Sequence, residues 1–103
     1  MAYRELEKLH RMHDGYIRAF DLNGHPLLLV QDDGVPRLLI NRCPHMDARM
    51  DRGQVANGHI RCPVHGIAFS LSSGMAEGPM AHCLKQLETL PLVYQGSGVG
   101  VEL

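Results

Sequence analysis

Residues 54–74 read QVANGHIRCPVHGIAFSLSSG, and the punctuation of this stretch decides the fold class. Asn57-Gly58 is a two-residue hairpin signal, because Asn and Gly both tolerate the positive φ that a tight turn between twisted strands requires. It is flanked by Gln54–Ala56 and His59–Arg61, which read as paired strands. Ile67–Leu71 reads as a further strand running into a turn at Ser72-Ser73-Gly74. Between these strands lies Cys62-Pro63-Val64-His65, which sets a thiol and an imidazole three residues apart beside a proline.

The same rhythm extends in both directions. Tyr16–Leu22 meets a turn at Asn23-Gly24, and Pro26–Gln31 meets one at Asp32-Asp33-Gly34. Arg37–Asn41 then leads into Cys43-Pro44-His45, and Leu90–Tyr94 with Val99–Leu103 brackets Gly96-Ser97-Gly98 as a final hairpin. Only the first ten or so residues offer a helical reading; Glu5, Leu6 and Leu9 fit helix or strand, and the segment before Tyr16 also suits an edge strand. Many short strands at regular spacing predict an all-β antiparallel sandwich or barrel.

Bulk properties narrow the function. A chain of 103 residues is one domain by default, and a bound metal centre would help so small a core hold together. Its 10 Lys and Arg against 11 Asp and Glu leave a formal charge of −1, without the basic excess that nucleic-acid binding needs. The opening MAYRELEKLHRMHD is densely charged and unlike a signal peptide, and the longest apolar run, Leu27–Val30, is far too short to cross a membrane. Three cysteines cannot all pair, so the expectation is reduced thiols and a cytoplasmic protein.

Cys43, His45, Cys62 and His65 form a four-ligand set by count, with sixteen residues between His45 and Cys62 and a hairpin to fold the two loops together. Zinc takes two Cys and two His tetrahedrally, usually with two or more residues between paired ligands. The single residue between Cys43 and His45 is tight for one tetrahedral ion and suits ligands that go to two different irons. The blander reading is buried thiols and satisfied histidines with no metal. Of the other candidates, Cys83 reads as a partly buried thiol. His10, His13, His25, His59 and His82 read as surface residues, with His82 near enough in sequence to approach a cluster. Between Arg42 and Arg61 there are four Arg against Asp47 and Asp51, a local excess of +2 that reads as a solvated rim or a docking patch.

The pattern C-x-H, sixteen residues, C-x-x-H, here CPH…CPVH, resembles the Rieske ferredoxin family. The resemblance continues through Gly66, Phe69 and Gly74 in HGIAFSLSSG, and Gly78-Pro79 resembles the family's proline-bearing third loop. It implies an all-β single domain over 1–103, with a small cluster-binding subdomain over about 41–80. It also implies one [2Fe–2S] cluster whose two Cys ligands, Cys43 and Cys62, bind one iron and whose two His ligands, His45 and His65, bind the other. The implied role is an electron carrier and not an enzyme: one electron passes from a flavin-dependent ferredoxin reductase to a terminal oxygenase, with no nucleic acid or membrane involved. The alternatives are a small Rieske subunit of another oxidoreductase, such as nitrite reductase, or a zinc-stabilised interaction module.

High-potential members of the family carry an extra Cys in each loop and Ser and Tyr hydroxyls near the cluster. The matching positions here are Ala48, Val64, Ile67 and Phe69, none of which offers a thiol or hydroxyl. Without those donors the reduced, more negative state is less favoured. The midpoint potential at neutral pH should therefore lie near the low end of the Rieske range, at or below about −100 mV. Voltammetry giving more than about +100 mV would defeat this reading, and Ile67→Ser should move the value upward.

Overall fold

The computed structural model describes residues 2–44, 48–64, 66–78 and 84–103. Among these residues ten strands follow one another: β1 (Tyr3–Lys8), β2 (Ile17–Leu22), β3 (His25–Asp32), β4 (Val35–Ile40), β5 (Gln54–Ala56), β6 (His59–Arg61), β7 (Ala68–Ser70), β8 (Thr89–Leu90), β9 (Val93–Gln95) and β10 (Gly98–Glu102). They form three antiparallel sheets, ordered β1-β10-β9, β2-β3-β4-β8 and β5-β6-β7. The fold is all-β and antiparallel, as the sequence predicts; among the described residues the helical structure is a 3-10 turn at Leu9–Arg11. No helix among them is long and apolar enough to cross a membrane.

Three of the turns are of one kind. Asn23-Gly24, Asp33-Gly34 and Asn57-Gly58 have φ of 52° and 80°, 52° and 75°, and 54° and 77°. Positive φ at both central residues is the geometry that lets two right-twisted strands pair across a two-residue loop. Register follows from the turns: Leu22 pairs with His25, Asp32 with Val35, and Ala56 with His59. Asp32, read from sequence as part of its turn, is instead the last residue of β3. Its carboxylate accepts the Gly58 N–H at 2.5 Å and so ties the β5–β6 turn to the four-stranded sheet.

The core has two halves, and β3 lies between them. Leu27, Leu28, Leu29 and Val30 are each 0% exposed. Because successive side chains point to opposite faces of a strand, Leu28 and Val30 enter one cluster and Leu27 and Leu29 the other. Leu39 and Leu38 of β4 divide in the same way. The cluster containing Leu27 is closed by Val99 and Val101 of β10, and the one containing Leu28 by Met50, Ile60, Phe69, Cys43 and Cys62.

Two expectations resolve differently. The N-terminal segment is an edge strand, not a helix: β1 pairs with β10, with a register shift between Glu5 and Glu7 that buries both Leu6 and Glu7. Glu7 is held there by the Tyr16 hydroxyl at 2.8 Å and the Lys8 N–H at 2.9 Å, and these bonds keep its carboxyl below the usual carboxylate range. Leu90–Tyr94 is not one strand. Pro91 has no N–H to give a ladder, and the break there sends β8 to β4 in one sheet and β9 to β10 in another.

Gly53 sits where the backbone entering β5 crosses the one leaving β6. A Cβ at this position would lie 2.1 Å from the Arg61 carbonyl oxygen. Gly53→Ala must therefore displace backbone, and we expect it to destabilise by about 1–3 kcal/mol, read as a lower thermal midpoint.

Candidate metal centre

The two cysteines open equivalent turns. Cys43 follows β4 by way of Asn41 and Arg42, and Cys62 follows β6 directly. In each turn the Cys N–H donates to the carbonyl of the fifth residue onward, Cys43 to Ala48 at 2.7 Å and Cys62 to Ile67 at 2.8 Å. Both are buried, 0% and 1% exposed, and both belong to the cluster around Met50, Ile60 and Phe69. In sequence His45 falls within the first turn and His65 within the second; both lie outside the described residues, as do Pro79, His82 and Cys83. Two cysteines in one dry core and, by position in sequence, one histidine in each turn supply the thiolate and imidazole donor types that can ligate a pair of iron ions. The donor set fits a metal centre.

Each turn has its own support. Asn41, 3% exposed, accepts the Met50 N–H at 2.7 Å and donates to Asp51 at 3.2 Å, so it spans the first turn from start to finish. Asp51 also accepts from Arg49 at 3.1 Å; the Asn41 bond and then this one hold its carboxyl below the usual range. In the second turn Gly66, at φ +68°, donates its N–H to the Cys62 carbonyl at 2.9 Å, and the Arg61 guanidinium donates to the Gly66 carbonyl. Sequence reading placed Asn41 merely at the end of a strand. Its signal was available: an Asn at a strand end, just before a loop, commonly bonds nearby backbone.

Phe69 is fully buried beneath the cysteines, and Ile67 packs half-buried against the same cluster. These positions present hydrocarbon to the site, not hydroxyl. Val64, in the outer part of the second turn, is 52% exposed. The site thus has a dry floor and a wet rim.

His10, His13 and His25 are exposed, in keeping with the sequence reading, but His59 is not a free surface residue. Its side chain is 33% exposed and sits between two acceptors, the Asn57 carbonyl at 2.8 Å from Nδ1 and the Glu77 carboxylate at 2.5 Å from Nε2. Only the doubly protonated ring can donate to both, and the Glu77 bond above all raises its pKa. Glu77 also donates its N–H to the Ala68 carbonyl at 2.8 Å. The segment leading toward Pro79 is thereby clipped to β6 and β7.

Fold and site together define a small antiparallel β protein in which two buried cysteines open equivalent turns. A family model described as "Rieske [2Fe-2S] domain" matches residues 3–90, and the chain belongs to this family, whose cofactor is a [2Fe–2S] cluster. Among curated relatives, the ferredoxin component of the alkene monooxygenase system of Xanthobacter autotrophicus is 30% identical over 87 residues, covering 84% of this chain and 69% of that protein. Apoptosis-inducing factor 3 of mouse and of human is 36% identical over 66 residues; these cover 64% of this chain but only 11% of the relative's length. Of solved structures, a ferredoxin from Sphingomonas yanoikuyae B1 superposes with a TM-score of 0.84 at 23% identity, covering 99% of each chain.

The His59–Glu77 pair makes stability depend on pH. Its folded pKa is raised above the unfolded value of about 6.5. The stabilisation is therefore fully present below about pH 6.5 and is lost as pH rises through the raised folded value. We expect the thermal midpoint of Glu77→Gln to lie below that of wild type at mildly acidic pH and the gap to close in the alkaline range. A gap that widens with pH would show that the pair does not act as a charged one.

Proposed function

We propose that this chain is a one-electron carrier whose cluster is held by Cys43, His45, Cys62 and His65. The observation that carries the reading is the pair of equivalent turns, each opened by a buried cysteine and each including one histidine in sequence. When bound, the [2Fe–2S] cluster stores and releases a single electron. The chain's own residues do the rest. Asn41 and Gly66 hold the turns in register, Phe69 and Ile60 keep water from the inner side, and Ile67 supplies no hydroxyl to favour the reduced state. On this reading residues 1–103 form one domain, and about 41–80 form its cluster-binding subdomain, which includes the whole of the β5-β6-β7 sheet.

The likeness to a ferredoxin component of a monooxygenase system supports a place between a flavin-dependent reductase and a terminal oxygenase, with the protein itself catalysing no reaction on the organic substrate. Three cysteines, which cannot all pair, support a reducing, cytoplasmic setting. The test is iron and sulfide content together with the visible spectrum. Wild type should be red-brown with two irons per chain. Cys43→Ser and Cys62→Ser should lose the cluster, because hydroxyl is a poor substitute for thiolate, while His45→Cys or His65→Cys should shift any retained spectrum toward an all-thiolate form. A colourless zinc protein, or either Cys→Ser variant with full iron and an unchanged spectrum, would overturn the assignment.

A further inference from the structure

We propose, building on the electron-carrier reading, that the face beside Cys62 docks a redox partner whose own contact patch is acidic. Arg52 and Arg61 line one cleft with Cys62, Pro63 and Gly66, and both arginines are exposed. Neither has a carboxylate partner among the described residues. Arg61 gives its hydrogen bond to the Gly66 carbonyl, a neutral acceptor that leaves the charge uncompensated. The nearby acids among the described residues are engaged elsewhere: Asp51 with Arg49 and Asn41, and Glu77 with His59. Val64, 52% exposed in the same turn, adds an apolar contact next to this cationic edge. Apolar centre and charged rim is the anatomy of a transient protein interface.

The chain as a whole is the opposite sign, at −1. Screening decides which field a partner feels at contact. Asp14, Asp32 and Asp33 line a cleft with Asn57 and Gly58, at the far end of β6 from Cys62. Four residues of extended chain from Gly58 to Cys62 span ~13 Å, longer than the Debye length of about 10 Å at 0.1 M salt. Beside Cys62 the two arginines outweigh the single negative charge that a reduced [2Fe–2S] centre with two thiolate ligands would carry, and an acidic surface is drawn to that end.

The sign of a salt effect tests this. The reduced holoprotein is mixed in stopped flow with ferricyanide, an anion that takes one electron to become ferrocyanide, and separately with hexaammineruthenium(III), a cation that takes one electron to become the ruthenium(II) complex. Local positive charge makes the ferricyanide rate fall with rising salt, on the order of tenfold from low to high ionic strength, and leaves the cation's rate flat or rising. Net charge acting alone gives the reverse. Arg52→Glu, and Arg52→Gln as a milder alternative, should flatten or invert the ferricyanide slope with the cluster spectrum unchanged. A readout that needs no electron transfer is retention on a sulfonate cation exchanger slightly above neutral pH, weak but present in wild type and lost in both variants. A ferricyanide rate that rises with salt in wild type, a slope untouched by the substitutions, or no retention would each overturn the proposal. Absence of a [2Fe–2S] spectrum would instead defeat the electron-carrier reading, before any rate is measured.

Discussion

β3 has no face that water can touch. Four consecutive apolar side chains at Leu27–Val30, each 0% exposed, must be covered from both sides, and an isolated antiparallel sheet covers one at most. The architecture follows from that demand. The β1-β10-β9 sheet supplies Val99 and Val101 to Leu27 and Leu29, while the segment carrying β5, β6 and β7 supplies Ile60 and Phe69 to Leu28 and Val30. The cysteines belong to the second cover. Placing the two cysteines and closing the core are one packing problem, which explains why the thiols are buried though they stand at the mouths of loops.

Two kinds of bond hold that cover in place. Asp32 reaches from the end of β3 to the Gly58 N–H, and Asn41 reaches from the end of β4 to Met50 and Asp51. Both are short polar side chains leaving the four-stranded sheet and gripping the neighbouring segment. Around them charge is sorted along β6, with Asp14, Asp32 and Asp33 near one end and Arg52 and Arg61 near the other. A nearly neutral chain thus presents two electrically distinct ends, and a partner sensitive to charge would distinguish them at distances set by screening.

Much of the hairpin framework was legible in the residues, because its signals are local. Asn-Gly and Asp-Gly dictate positive φ at both turn positions, and that dictates register within one or two residues. The pairing of CPH with CPVH was equally legible, since spacing along the chain is all that the motif needs. By contrast, Leu90–Tyr94 looked like a single strand because apolar runs do not announce which sheet will receive them, and only the packing splits this one at Pro91. The N-terminal segment was ambiguous for a similar reason: Glu5, Leu6 and Leu9 fit two periodicities, and the choice was made by the open edge of β10.

By itself, then, the sequence determined the strand-and-turn alphabet, the four candidate ligands and the absence of hydroxyls at positions 67 and 69, all properties of single residues or of short spacings. Only the tertiary structure decided that Leu27–Val30 would divide between two cores, that Asn41 would brace the first cysteine turn, and that His59 would be held charged by Glu77. It alone set Arg52 beside Arg61 and Cys62 with no carboxylate to answer them among the described residues. Each of these depends on groups eight or more residues apart meeting in space or facing opposite ways, and the free energy of such meetings comes from burial and charge that no local pattern encodes.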